Sequence, residues 1–313
     1  MDHNTTQAPA GISQQPDSQK LPGVGRLLSE SWQIARSKGL SMFGVVFLPA
    51  VALMLVATLF LALSYPFDDG SLNALSLGIM GVLFLALIVF LSVWLRASFA
   101  FAVRDAVEGT FSIKKSWSQG LRKWLPFLWI YILGYILING GFYLVFIPGI
   151  VFAVWFFARE YIIVNEDVRG MNAVLKSKAY TAGYFWAVLG RIAALILFGL
   201  LILAAFAVLL AILGVGFGDA GAVVGVAVVA AAVIGVIGGI LVLIMFSLYT
   251  YLIYFYLHKI KGSMPEFKAT NGQKALFIII GIIGLLVGLS FNVLSSDFFQ
   301  NLENAGAGIL NGF

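Results

Sequence analysis

The chain is predicted to be an all-α integral membrane protein with about seven transmembrane helices, arranged as three units of interfacial helix plus hairpin and a C-terminal helix. Three observations predict this. The 313 residues are 61% hydrophobic and 11% charged, against about 25% charged residues in an ordinary globular domain, so a soluble core cannot hide the apolar surface. Six long stretches are uncharged, and each exceeds the roughly 20 residues that cross a ~30 Å hydrocarbon layer. When these are threaded as seven helices, all 19 Lys and Arg residues fall on one side, as the bias towards basic cytoplasmic loops requires.

The elements follow in order. Residues 1–23 are rich in Gln, Pro, Ser and Thr and are expected to form a disordered cytoplasmic tail, because they cannot bury enough surface to offset chain entropy. No apolar run short enough for a cleaved signal follows them, so the first span is expected to act as a signal anchor. The polytopic domain occupies 24–294. Its spans are expected at 40–67, 70–95, 124–147, 149–165, 192–218, 220–257 and 275–296, followed by a short extracytoplasmic tail at 295–313.

Two placements need argument. The uncharged stretch 124–158 is too long for one crossing at 1.5 Å per residue. Pro148-Gly149 lies inside it, and a helix breaker followed by a permissive residue reads as a tight hairpin. Without that hairpin, nine later basic residues would change sides. The stretch 220–257 is kept as one span, because a second hairpin would export Lys259 to Lys274. Its end carries Tyr249, Tyr251, Tyr254, Phe255 and Tyr256, the composition of an interfacial aromatic belt.

A short pattern recurs ahead of three spans. It reads Leu28-Ser29-Glu30-Ser31-Trp32, then Ile113-Lys114-Lys115-Ser116-Trp117, then Val174-Leu175-Lys176-Ser177-Lys178. In the second copy Ile113, Trp117, Leu121 and Trp124 share one helical face, opposite Lys114, Lys115, Arg122 and Lys123, so each segment is expected to lie in the membrane interface. Ser112 is expected to cap the second copy and Gly183 to stop the third. Paired glycines such as Gly284 and Gly288 are expected to serve internal helix packing.

Chemistry is sparsely supplied. Cys is absent and His occurs twice, which excludes disulfides, thiolate catalysis and a histidine metal cluster. No cofactor is expected. Gly-x-Ser-x-Gly and phosphate-loop motifs are missing. The net charge of +5 is dispersed beside spans, which points to anionic lipid head groups on the cytoplasmic face and away from nucleic acid. Arg159-Glu160, the adjacent charges embedded in a span, are read as snorkelling to the interface, with Glu160 turned to the same interface or to Arg191. Glu166-Asp167 is read as a solvated acidic turn.

The stretch from Ile147-Pro148-Gly149-Ile150 through Trp186 resembles the bacterial glycerophosphoryl diester phosphodiesterase membrane-domain family. The residues that carry the resemblance are Pro148, Gly149, Arg159, Glu166, Ala173, Ser177, Gly183, Phe185 and Trp186, echoed by Tyr254-Phe255-Tyr256-Leu257 before Lys259-Ile260-Lys261-Gly262. Lys178 departs from the family pattern, which favours Trp there. The resemblance covers under a quarter of the chain and implies the membrane part alone, since the family's hydrolytic chemistry belongs to a separate soluble barrel. The expected role is therefore a non-enzymatic scaffold or lipid-associated helper, with a small transporter or channel built from the hairpins as the alternative. The residues singled out are Trp32, Trp117, Trp124, Pro148, Gly149, Arg159, Glu160, Ser177, Gly183 and Trp186.

Overall fold

The structure is a computed structural model that describes residues 20–64, 74–216, 221–262, 264 and 267–310, with backbone only at 61–64, 74–77, 206, 209–216, 221–234 and 292–310. Residues 1–19 of the expected tail, and Asp68, Asp69 and Asp219, lie outside the described residues. The described residues form helices α1 Val24–Ser64, α2 Ala74–Val107, α3 Ile113–Leu144, α4 Phe146–Trp155, α5 Arg159–Glu166, α6 Gly170–Thr181, α7 Phe185–Gly216, α8 Gly221–Lys261 and α9 Asn271–Leu310. The fold is 89% helical and has no strand among them. Seven segments are long and apolar enough to cross a membrane, α4 and α5 together making one. The chain is a multi-pass all-α membrane protein.

Three boundaries differ from expectation. The reversal after α3 sits at Val145, whose backbone is extended (φ −160°), and Pro148 and Gly149 lie inside the first turn of α4. Proline is tolerated there because the early N–H groups of a helix have no intrahelical partner. Gly149 lets the two helices close on each other, since a Cβ there would strike the Phe142 ring. The first two amphipathic segments are not separate helices but run unbroken into α1 and α3. Only the third, α6, stands alone, ended at Ala182 and followed by Gly183 at φ +81°, a conformation that costs glycine little. Finally, α9 continues to Leu310 through most of the expected carboxyl-terminal tail. The single-helix reading of 220–257 holds, since α8 runs without interruption from Gly221 to Lys261.

Buried side chains gather at the basic end of the bundle. Leu27, Met42, Phe127, Ile162, Tyr180, Tyr249, Tyr251 and Leu257 are almost fully enclosed there, while Met54 (72% exposed), Leu83 (65%) and Leu289 (63%) lie open on the spans. The gradient has a physical cause. An apolar side chain gains nothing by leaving lipid for another helix, whereas helix ends that project into water need a core. Within the spans, small residues set the contacts. Gly140 of α3 lies backbone to backbone against Gly281 and Gly284 of α9, and Gly288 lies against Tyr143, so this glycine pair serves internal packing as expected.

Candidate functional site: a buried ionic and phenolic cluster

The fourth span is broken. α4 ends with its cap at Phe156 and α5 begins after Ala158, so backbone groups lose their helical partners inside an apolar bundle, where each must be satisfied. Ser177, on α6, meets this need, because its Oγ accepts the Ala158 N–H at 3.1 Å. Arg159 Nη1 donates to the Phe156 carbonyl at 3.0 Å. Ser177 itself is fully buried.

The half-helix α5 then delivers Glu166 into a closed polar cluster. Glu166 Oε2 pairs with Lys176 Nζ at 2.5 Å, with side-chain exposures of 11% and 2%. Lys176 also donates to the Met264 carbonyl at 2.6 Å. Oε1 accepts hydroxyls from Tyr180 at 3.0 Å and Tyr254 at 2.9 Å. The Tyr180 oxygen also shares a hydrogen bond with His258 Nδ1 at 2.9 Å. Burial, reinforced by the Glu166 charge, pushes the Tyr180 phenol above its ordinary range. Beside Glu166 on α5, Asn165 Oδ1 accepts the Tyr251 hydroxyl at 3.1 Å, and further back Tyr161 shares a 2.7 Å bond with Thr250. The cluster thus ties α5 to α6 and α8 with its charges balanced internally.

Glu166 is therefore not a solvated turn acid. A buried carboxylate needs a cation and donors close by, and its cation comes from ten residues downstream. Its neighbour Asp167 fits the expectation better, since its side chain is 56% exposed and pairs with Lys123 and Arg169. The Arg169 hydrogen bond, more than Lys123, holds the Asp167 carboxyl below the ordinary carboxylate range.

The same construction occurs twice. Residues 94–117 correspond without a gap to 155–178, each position 61 residues on, with Trp94/Trp155, Ala97/Ala158, Val103/Val164, Val107/Val168, Gly109/Gly170, Lys115/Lys176 and Ser116/Ser177 identical. Gly109 and Gly170 both have positive φ. Asp105 corresponds to Glu166; it is fully buried and pairs with Lys115 at 3.0 Å and Arg104 at 2.6 Å. Trp94 leans on Trp117 at 6.3 Å, and at the equivalent place the ammonium of Lys178 sits over Trp155 at 4.3 Å. Lys178 thus replaces a ring contact by a cation–π contact. The first unit differs in its acid. Glu30, 7% exposed, takes the place of the lysine and binds Arg26 and Tyr256.

Beyond Pro148, Gly149, Ser177 and Gly183, the residues singled out from sequence separate into three groups. Trp32 and Trp186 point outward at 59% and 78% exposure. Trp117 and Trp124 are half-buried, the first reaching the Val45 carbonyl at 3.5 Å and the second lying edge-on to Phe90 at 5.3 Å, so neighbouring helices take faces expected to meet lipid. Arg159 and Glu160 sit together beside α3, and Arg191 is elsewhere, donating to the Leu21 and Pro22 carbonyls at 2.8 Å each. That clamp fixes the end of the segment expected to be disordered. Comparison with protein-family models, with curated proteins and with solved structures finds no match to the chain.

Proposed function

We propose that this chain is a non-enzymatic polytopic protein of the plasma membrane, a scaffold or lipid-associated helper module with a cytoplasmic amino terminus, built like the membrane part of the glycerophosphoryl diester phosphodiesterase family. The observation that carries the reading is the division of charge at the basic end. Glu30, Asp105, Glu166 and Asp167 are consumed by internal ion pairs, while Arg36, Lys38, Lys114, Arg122, Lys259 and Lys268 remain exposed. An excess of exposed cations beside spans attracts anionic head groups at about 1 kcal/mol per residue.

The test uses the purified full chain reconstituted with brominated lipids, which quench tryptophan fluorescence on contact. Brominated phosphatidylglycerol is expected to quench more than brominated phosphatidylcholine, with the difference shrinking as salt rises. Equal quenching by the two lipids would remove the lipid-associated reading. Lipid hydrolysis or transfer that is lost on Glu160→Gln in a folded protein would overturn the non-enzymatic one.

One observation favours the second reading, a small transporter. The fourth span is discontinuous at 156–158, as are spans that line solute sites in many carriers. Flux of a polar solute into vesicles holding the purified chain would decide for it.

A further inference from the structure

Among the acids whose side chains are described, Glu160 alone has no ion pair, although Arg159 is its neighbour in sequence. Both are partly exposed. The polar groups there are incompletely bonded. Arg159 Nε is buried without a hydrogen-bond partner, and so is the Tyr131 hydroxyl. The guanidinium of Arg159 occupies space that Gly134 leaves open, since a Cβ there would lie 2.7 Å from Nε and 2.8 Å from Cζ. Arg96 is exposed, and its guanidinium stands 5.6 Å from the centre of the Tyr131 ring. The Tyr131 hydroxyl is loosely engaged by Glu160, with Arg96 and Arg159 as its further electrostatic neighbours. Two cations, one carboxylate and one phenol from α2, α3 and α5 converge without neutralising one another.

Their level is marked by tryptophan. Trp94 precedes Arg96 by two residues, Trp129 precedes Tyr131 by two, and Trp155 precedes Arg159 by four. Trp129 is 55% exposed. Tryptophan collects where hydrocarbon meets head groups, so the four polar residues lie at the depth of a phospholipid phosphate.

The geometry points to a binding site for one zwitterionic phospholipid with a primary ammonium head group. The phosphate sits at Arg96 and Arg159, the ammonium donates to Glu160, and the Tyr131 hydroxyl donates to a phosphate oxygen. The site deepens the lipid-associated reading and rests on it. A simple anion is a poorer fit, because the Glu160 carboxylate would repel it. A quaternary ammonium cannot donate a hydrogen bond to Glu160, so phosphatidylethanolamine is distinguished from phosphatidylcholine at equal net charge.

Native mass spectrometry of the detergent-purified full chain tests this at salt high enough to suppress surface attraction. With matched acyl chains, one phosphatidylethanolamine is expected to be retained about tenfold more tightly than phosphatidylcholine, the size of one charge-assisted hydrogen bond. Glu160→Gln removes that preference, and Arg96→Gln, at an exposed position, weakens both lipids alike. Soluble phosphoethanolamine at millimolar concentration does not displace the lipid. Equal retention of the two lipids by the wild-type chain, an unchanged preference in Glu160→Gln, unchanged binding in Arg96→Gln, or full displacement by soluble phosphoethanolamine would each overturn the proposal. The comparison holds net charge constant, so its failure leaves the preference for anionic over neutral lipid to be judged separately.

Discussion

Replacing Lys176 by Met is the sharpest perturbation of the buried cluster. The side chain fits the same space but leaves Glu166 charged, 11% exposed and without its cation. Breaking a buried pair from one side costs about 3–5 kcal/mol, because the remaining charge loses its partner without regaining water. The hydroxyls of Tyr180 and Tyr254 still donate to Glu166, which sets the expectation at the lower end, about 3 kcal/mol. Adding Glu166→Gln removes the orphaned charge and keeps an acceptor for both phenols, so the double variant recovers most of the loss. The equivalent change in the other unit supplies the scale. Lys115 is 45% exposed, and Asp105 keeps Arg104, so Lys115→Met costs under about 1 kcal/mol. Equilibrium unfolding of the purified chain in mixed micelles, with SDS mole fraction as the variable, reads all four proteins. A loss of under 1 kcal/mol in Lys176→Met, or a double variant no more stable than the single, refutes the reasoning.

Four further outcomes are expected. Ser177→Ala leaves the Ala158 N–H buried and unbonded at the helix break, and unfolding in the same assay shows a loss of about 1–3 kcal/mol. Gly284→Ala drives a methyl into the Gly140 backbone, which no side-chain rotation relieves, so stability falls by about 1–3 kcal/mol, whereas Gly239→Ala, with nothing within 4 Å, leaves it unchanged. Asp167 has a folded pKa below its unfolded value, so its contribution is complete above the unfolded value and disappears as pH falls through the folded one; Asp167→Asn, which tolerates the φ of 51°, flattens that acid limb in a pH series of unfolding midpoints. In the Cys-free chain, single cysteines at Ser71, Asp219 and Asn301 react with an impermeant thiol reagent added outside, and those at Ser118 and Ser263 do not; outside labelling at Ser263 would reverse the assigned orientation of α8.

The spans were legible because crossing a membrane demands apolar length and excludes charge, both one-dimensional properties. The hairpin was legible in existence but not in position. Pro-Gly marks a turn and equally suits the first turn of a helix, and only the contact of Gly149 with Phe142 decides between them. The interfacial segments were misplaced as separate helices because amphipathic pattern reports a face, not a break; a break needs a residue such as Gly183. The burial of Glu166 was hidden because an acid beside another acid reads as solvent-facing. Its signal lay in a comparison over 61 residues, where an acid, a glycine of positive φ and a Lys-Ser pair recur in the same register. The shorter five-residue pattern caught the lysine and serine and missed the acid that pairs with the lysine. Arg159 and Glu160 stood out as charges inside an apolar stretch, but Tyr131, Gly134 and Arg96 join them only through the crossing of α2, α3 and α5.

The clamp from Arg191 to Leu21 and Pro22 joins positions 170 and 169 residues apart, and Tyr256 reaches Glu30 across 226. At about 5–20 residues per second of synthesis, the start of α1 waits on the order of 10 to 30 s for its arginine, and longer for its tyrosine. During that interval Glu30 has only Arg26, one turn away, to balance it. The first span is thus committed to the membrane early, while the segment that leads into it is sealed only by parts of the molecule made 169 to 226 residues later. Assembly runs as a closing circle, and a ribosome halted before residue 191 leaves a bundle whose entrance has not been shut.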